Sequence, residues 1–401
     1  MDMKNVQTLS LIAWKNKGEA KMKVTVAMDS FKGSVSSIEA GEAAANGIRR
    51  VYPEAEIAVR PLADGGEGTT DTLVRGMGGR KQRVKVRGPL GECIECEYGI
   101  LEKEKTAVIE IACAAGLTLV PEQMRNPLLT TTYGVGEMIR DGIQRGCRKF
   151  LIGIGGSATN DGGVGMLQAL GYDFLDTEGK QIRKGAAGLA QLKVIKDIHV
   201  LPELKECQFR IACDVTNPLC GEHGCSAVYG PQKGADAAMI KSMDAWLARY
   251  ASMAKEKFQR GDKDYPGAGA AGGLGFAFLT FMNADLQPGI QIVMEETQLE
   301  AYIKEADLVI TGEGKLDGQT AMGKAPVGIA RLAKKYGKPV IAFAGSIEED
   351  ASRCEQEGID AFFCILPGPV SLKEAMKPED TKKNISAATE QVLRLWKLLC
   401  Q

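Results

Sequence analysis

Gly155-Gly156-Ser157-Ala158-Thr159-Asn160-Asp161-Gly162-Gly163 combines four glycines with two hydroxyls, an amide and a carboxylate. Glycines let backbone N–H groups approach a ligand closely, and a helix N-terminus carries about half a positive charge. A helix follows, because Val164, Leu167 and Leu170 recur at helical spacing and Gly171 sits where a C-terminal cap belongs. Loop and helix together make an anion site, most often for phosphate. Ser157, Thr159, Asn160 and Asp161 exceed what a phosphate cradle needs; they can bond a hydroxyl, hold a metal or accept a proton. The plain structural alternative is a tight turn in which Asp161 or Thr159 caps the helix.

Other short runs have the same character. They are Asp29-Ser30-Phe31-Lys32-Gly33, Asp64-Gly65-Gly66-Glu67-Gly68, Asp214 to Asn217, and Gly312-Glu313-Gly314-Lys315-Leu316-Asp317. Asp64, Asp161, Asp214, Glu313 and Asp317 are hard oxygen donors, and magnesium is held through one or two carboxylates plus phosphate oxygens. One carboxylate beside a hydroxyl can take its proton. Lys32, with Lys233, Lys315 or Lys324, can neutralise phosphate charge. Phosphoryl transfer requires this kind of positioning and neutralisation more than covalent catalysis.

Three competing chemistries leave traces. Gly153, Gly155 and Ala158 fit the dinucleotide pattern GxGxxA, but Asp161 would set a negative charge beside a pyrophosphate. Gly318, Gly323 and Lys324 fit the start of a Walker motif, but Ala325 stands where a hydroxyl must bind magnesium. Cys93 and Cys96 form one CxxC, and with only two histidines a zinc site lacks its second half. The 11 cysteines, without a framework spacing, fit reduced thiols in a cytoplasmic protein.

These loops need strands to hold them. Apolar runs at Lys23 to Met28, Ala55 to Arg60, Ala107 to Ile111, Phe150 to Ile154, Phe209 to Ala212, Asp307 to Thr311 and Pro339 to Ala344 read as strands. Nearly all end in one of these loops, and open α/β sheets bind ligands beyond the carboxyl ends of their strands. Ser36 and Glu39 form a capping box for a helix to about Tyr52, and Thr297 and Glu300 read as another. Arg83 to Val86 and Glu95 to Gly99 alternate as sheet strands do.

The chain has 401 residues, 44% hydrophobic and 25% charged, which suits two soluble α/β domains. Net charge is −1 with no basic block, so neither nucleic acid nor a membrane surface is an expected partner. Strand–helix alternation at both ends flanks a different texture, as an insertion would. The expected division is 22–82 plus 286–401 for one domain and 83–285 for the inserted one. Residues 1–21 read as an N-terminal extension, because Met22 directly precedes the first strand.

With Asn217-Pro218-Leu219-Cys220-Gly221 and Gly230-Pro231-Gln232-Lys233-Gly234, these motifs resemble the bacterial type 1 glycerate kinase family, in order over 22–401. The resemblance implies two dissimilar α/β domains, one Rossmann-like and discontinuous, with the active site in the cleft. It implies transfer of the ATP γ-phosphate, with Mg2+, to D-glycerate. The 2-phosphoglycerate product is expected over 3-phosphoglycerate, in glycolate, glyoxylate or glucarate use. Catalysis is expected from Asp161, Lys32 and Asp64. Substrate and nucleotide binding falls to Asp29, Ser30, Gly65, Gly66, Glu67, Gly155, Gly156, Ser157, Thr159, Asn160, Asn217, Gly312, Gly314 and Lys315. Asp214, Glu313 and Asp317 are the expected metal ligands, and a homodimer the expected assembly. A dinucleotide-dependent dehydrogenase and a non-enzymatic small-molecule binder are the alternatives; ATP consumption that depends on glycerate separates them.

Overall fold

The computed structural model describes residues 21–63 and 68–400. Most of the 1–21 extension, and the site residues Asp64, Gly65, Gly66 and Glu67, lie outside the described residues. The chain divides at 64/65 and 292/293 into two compact units, the first made of both ends of the chain and the second of the segment between.

The chain starts the first unit with β1 (Lys23–Met28) and β2 (Glu56–Val59). The second unit then holds β3 (Arg80–Arg87), β4 (Cys93–Leu101), β5 (Thr106–Glu110), β6 (Lys149–Gly153), β7 (Asp173–Leu175), β8 (Val194–Lys196), β9 (Gln208–Ala212) and β10 (Asp285–Gln287). The first unit resumes with β11 (Leu308–Leu316), β12 (Val340–Ile347) and β13 (Ala361–Cys364).

In the first unit the described strands form one parallel sheet, ordered β13-β12-β11-β1-β2. After β1 the chain moves to one side, and on its return it builds the other. The order therefore reverses between β1 and β11, the topological switch point at which such sheets bind ligands. Val24, Val26 and Met28 of β1, Leu308 and Ile310 of β11 and Phe343 of β12 join one buried core with Ile385 and Leu393 of the helix Pro378–Cys400. That helix packs on the helix Ser37–Val51, where Gly47 is bare because a Cβ would run into the Ser386 carbonyl oxygen. Ser36 caps the helix Ser37–Val51 in the expected box with Glu39. Ser37 Oγ donates to the Met28 carbonyl at 2.7 Å and accepts from Leu62 N at 2.8 Å. One hydroxyl so ties the end of β1 to the chain leaving β2.

The second unit carries a six-stranded mixed sheet, β10-β9-β6-β5-β4-β3, in which β4 runs antiparallel to both β3 and β5 and the other pairs are parallel. Ile109, Phe150, Ile152, Phe209 and Ile211 pack here against Val135, Met138 and Ile139 of the helix Tyr133–Gln144. β7 and β8 form a separate antiparallel pair.

The expected boundaries at 82/83 and 285/286 fall inside β3 and β10, so they do not divide compact units. The helix Thr69–Met77 packs on β4 and β5, which carries the chain into the second unit before the strand texture changes. Two other expectations change. The Thr297–Glu300 box does not form: Thr297 Oγ1 donates back to the Val293 carbonyl at 2.7 Å, and the helix Leu299–Glu305 follows an uncapped Gln298. The run after Thr311 is not a loop. β11 continues to Leu316 because β12 pairs with it as far as Leu316↔Ile347. Among the described residues no helix is long and apolar enough to cross a membrane.

Candidate active site

In the first unit the candidate residues gather at the switch point. The Asp29 N–H donates to the Gly312 carbonyl at 2.8 Å, and Asp29 Oδ1 accepts from Ser30 N at 2.7 Å. Phe31 to Val35 then closes a turn, with Gly33 in the left-handed region, φ 79°, and Lys32 exposed at its tip. Gly314 faces the backbone of Phe31 and Lys32, and a Cβ on Gly345 of β12 would crowd the Gly314 carbonyl. The glycines thus keep the carboxyl ends of β11 and β12 low beside the β1 turn.

β11 runs past the end of β1 and carries Glu313 with it. Glu313 Oε1 accepts from Thr320 Oγ1 at 2.6 Å. Burial pushes the Glu313 carboxyl up to about 7, against the opposing pull of the Thr320 hydroxyl and Lys324; the charges of Asp29 and Asp317 push the same way as burial. Asp317 Oδ1 accepts from Gln319 N at 3.0 Å and Thr320 N at 3.2 Å, capping the short helix Gly318–Ala321. Lys324 Nζ lies 3.7 Å from Asp317 and Lys315 Nζ 3.9 Å, while Lys315 is closer to Glu348, at 3.1 Å. Lys324 stands at the N-cap of the helix Ala325–Lys335. The Walker-like spacing is therefore two helix starts in succession.

In the second unit the loop after β6 is more enclosed than its composition implies. Asp161 is 1% exposed. Its Oδ2 accepts from Thr132 N at 2.9 Å, Thr132 Oγ1 at 2.9 Å and Gly165 N at 3.3 Å, and its Oδ1 from Gly163 N at 3.2 Å. Burial raises its pKa and these donors oppose the rise. The helix Val164–Ala169 is six residues long, and its first amides serve Asp161 and Thr132. The expected anion site at a helix N-terminus is thus filled by the chain's own carboxylate, although the N-cap residue is Gly163 and neither Asp161 nor Thr159 occupies that position. Asn160 Nδ2 donates to Ser226 Oγ at 2.8 Å, while Asn160 Oδ1 and Thr159 Oγ1 are buried without a partner. Gly272, at φ 66°, presses on this loop: its carbonyl accepts from Gly162 N at 2.9 Å.

Asp214 Oδ1 accepts from Gly289 N at 3.0 Å, and Asn217 bridges the His223 carbonyl and the Tyr229 hydroxyl. Both follow β9, where Asp214 holds the backbone at Gly289 and Asn217 ties the His223 backbone to the Tyr229 side chain. Lys233, expected as one of the lysines that neutralise phosphate charge, is instead buried against this loop. Lys233 is 2% exposed, and its Nζ donates to Ser157 Oγ at 2.8 Å and the Thr159 carbonyl at 2.7 Å. Pro231 opens its turn and Gly234, at φ 92°, closes it against the Arg125 carbonyl. Thr132 and Thr320 were missed, since neither lies in a glycine-rich run.

A glycerate kinase family model matches residues 24–397. The chain belongs to the glycerate kinase family. Membership makes it an enzyme of phosphoryl transfer and sets aside the dehydrogenase and pure-binder readings. A glycerate kinase of Halalkalibacterium halodurans is 45% identical over 93% of this chain and 98% of its own length. A glycerate 2-kinase of Escherichia coli K12 is 47% identical over 89% and 93%. A crystal structure of a glycerate kinase 2 candidate from Salmonella typhimurium LT2 superposes with TM-score 0.88 at 43% identity, covering 94% of this chain and 99% of that one. The same comparison supports the two-domain α/β fold of a glycerate kinase.

The donor chemistry can be set against a magnesium nucleotide. Asp29, Glu313 and Asp317 are hard oxygen donors, yet among the described residues no three acidic or soft ligands converge as a ready metal cage. That fits Mg2+, which keeps few protein ligands and takes the rest from water and phosphate.

Proposed function

We propose that the chain phosphorylates D-glycerate with MgATP, giving 2-phosphoglycerate, as a cytoplasmic step in the use of organic acids such as glyoxylate or glucarate. The observation that carries the nucleotide half is the switch point between β1 and β11, where Asp29, Ser30, Gly312, Glu313 and Gly314 gather. Family membership and the Escherichia coli relative's name support the acceptor and the 2-position.

In this reading Glu313 and Asp317 hold the magnesium ion, which when bound neutralises phosphate charge. Asp214, with one oxygen on the Gly289 amide, holds backbone. Gly314 leaves room for the nucleotide beside the β1 turn, and Gly312 lets the Phe343 carbonyl of β12 and the Met28 side chain pack close. Lys32, at the tip of that turn, draws charge from the transferring phosphoryl oxygens, and Lys315 steadies the far side of the site. Asp64, with Gly65, Gly66 and Glu67, takes the hydroxyl proton and orients the acceptor. Asp161, saturated by donors, acts by holding Gly163 and Thr132 in place rather than by touching the hydroxyl. Gly155, Gly156, Ser157, Thr159, Asn160 and Asn217 form the acceptor side. The chain works as a homodimer. The test is 31P NMR of the product of MgATP and D-glycerate; a resonance of 2-phosphoglycerate supports the reading, and 3-phosphoglycerate or no product overturns it.

A further inference from the structure

One cluster in the second unit has more donors than acceptors. Among the described residues, the N–H groups of Gly155, Gly156 and Ser157 meet no acceptor. Gly155 and Gly156 are exposed, and a Cβ on Gly155 would touch nothing within 4 Å, so the space before them is open. Beneath them Lys233 Nζ donates to Ser157 Oγ. The Ser157 oxygen therefore accepts from the ammonium, and its own proton has no acceptor among the described residues. Three amides and a hydroxyl without acceptors among the described residues so adjoin a buried cation, at a loop that borders open space at Gly155.

We infer that this is the seat of the substrate's carboxylate, with Lys233 as the positioning residue that turns the Ser157 hydroxyl toward it. The inference rests on the acceptor being a hydroxy acid, as proposed above. A carboxylate fits better than a phosphate on charge. Lys233 carries one positive charge, and the Asp161 carboxylate already acts on it. A monoanion leaves one net negative charge among the three groups, and a phosphate dianion would leave two beside the buried Asp161 carboxylate. Burial lowers the Lys233 ammonium to about 8, which leaves it charged at neutral pH.

Gly155 and Gly156 give the site its opening and Ser157 its directional donor, while Lys233 supplies charge from behind without touching the ligand. The site therefore distinguishes glycerate from glycerol, which offers the same hydroxyls and no carboxylate. That discrimination belongs to the second unit and is separable from nucleotide binding at β1 and β11.

The test uses the full chain and the variants Ser157→Ala, Lys233→Met and Lys233→Arg. Ser157→Ala removes the hydroxyl and leaves the buried ammonium its bond to the Thr159 carbonyl. A hydrogen bond to a charged group governs affinity by about tenfold to a hundredfold, so the D-glycerate KM should rise by that factor while the ATP KM and kcat move less than about threefold. Lys233→Met should show the same split more strongly, and Lys233→Arg should restore part of it. Calorimetry with D-glycerate, glycerol and inorganic phosphate, each without nucleotide, gives the second readout. D-glycerate binding that weakens in Ser157→Ala supports the seat. An unchanged glycerate KM and affinity in Ser157→Ala, or weakened phosphate binding with an ATP KM that rises instead, overturns it. Wild-type protein that binds D-glycerate without phosphorylating it would defeat the functional reading alone.

Discussion

The Thr132 N–H donates to Asp161 Oδ2 at 2.9 Å, and Thr132 Oγ1 accepts in turn from Met166 N at 2.9 Å. Thr132 precedes the helix Tyr133–Gln144, and Asp161 serves the first amides of the helix Val164–Ala169. One carboxylate therefore lies at two helix starts, where a negative charge is favoured. Asp161→Ala strands the buried N–H groups of Thr132, Gly163 and Gly165, each costing about 1–3 kcal/mol, so a fall of at least about 3 kcal/mol in unfolding free energy is expected. Urea titration measures it. A stable variant with lost turnover would return Asp161 to the chemistry.

Glu313 makes stability depend on pH. Its carboxyl titrates near 7 when folded against 4.5 as a free side chain. The folded state therefore holds an extra proton between those values, and stability falls as pH rises through that window, levelling off above about 7. The full effect is up to about 3 kcal/mol. In EDTA, Glu313→Gln should lose that slope between pH 5 and 8 in chemical denaturation; an unchanged slope rejects the assignment.

Asp317 caps one helix through Oδ1 and is read as a magnesium ligand as well. The two roles separate by substitution. Asp317→Ser keeps a cap, and Asp317→Ala loses about 1 kcal/mol with it. If the metal role holds, both variants need more Mg2+ for half-maximal turnover. Equal Mg2+ dependence in Asp317→Ser and wild type would leave only the cap.

Gly272 sits at φ 66°, where a Cβ would run into the Thr159 carbonyl oxygen. Gly272→Ala adds strain to overpacking, each of order 1–3 kcal/mol. A drop in Tm of several degrees is expected, with the Val26 core of the first unit untouched. A Tm equal to wild type would show that the 159–162 loop gives way freely.

How much was legible follows from where the information lies. β1 was readable to the residue because Lys23 to Met28 is an apolar run between a lysine-rich stretch and Asp29. The Ser36–Glu39 box was readable because both partners are local. The extension of β11 through Gly312 to Leu316 was not, because glycines in a strand are tolerated only where a neighbour pairs them, and β12 is distant in sequence. Asp161 could be placed in a ligand loop but not turned inward, since Thr132 lies 29 residues away. Lys233 could be named as a charge for phosphate but not paired with Ser157 for the same reason: 76 residues separate the two. Composition marks which loops carry chemistry, and long-range contacts decide which side chains face it.

The central claim is that this chain moves a phosphoryl group from MgATP to glycerate. The most direct measurement is ADP release by the purified chain in MgATP, with and without D-glycerate and with glycerol as the uncharged control. Release should depend on D-glycerate, saturate with its concentration, require Mg2+ and be at least about tenfold weaker with glycerol, on the order of one lost charge-assisted hydrogen bond. ADP release equal with and without D-glycerate, or none in its presence, would contradict it.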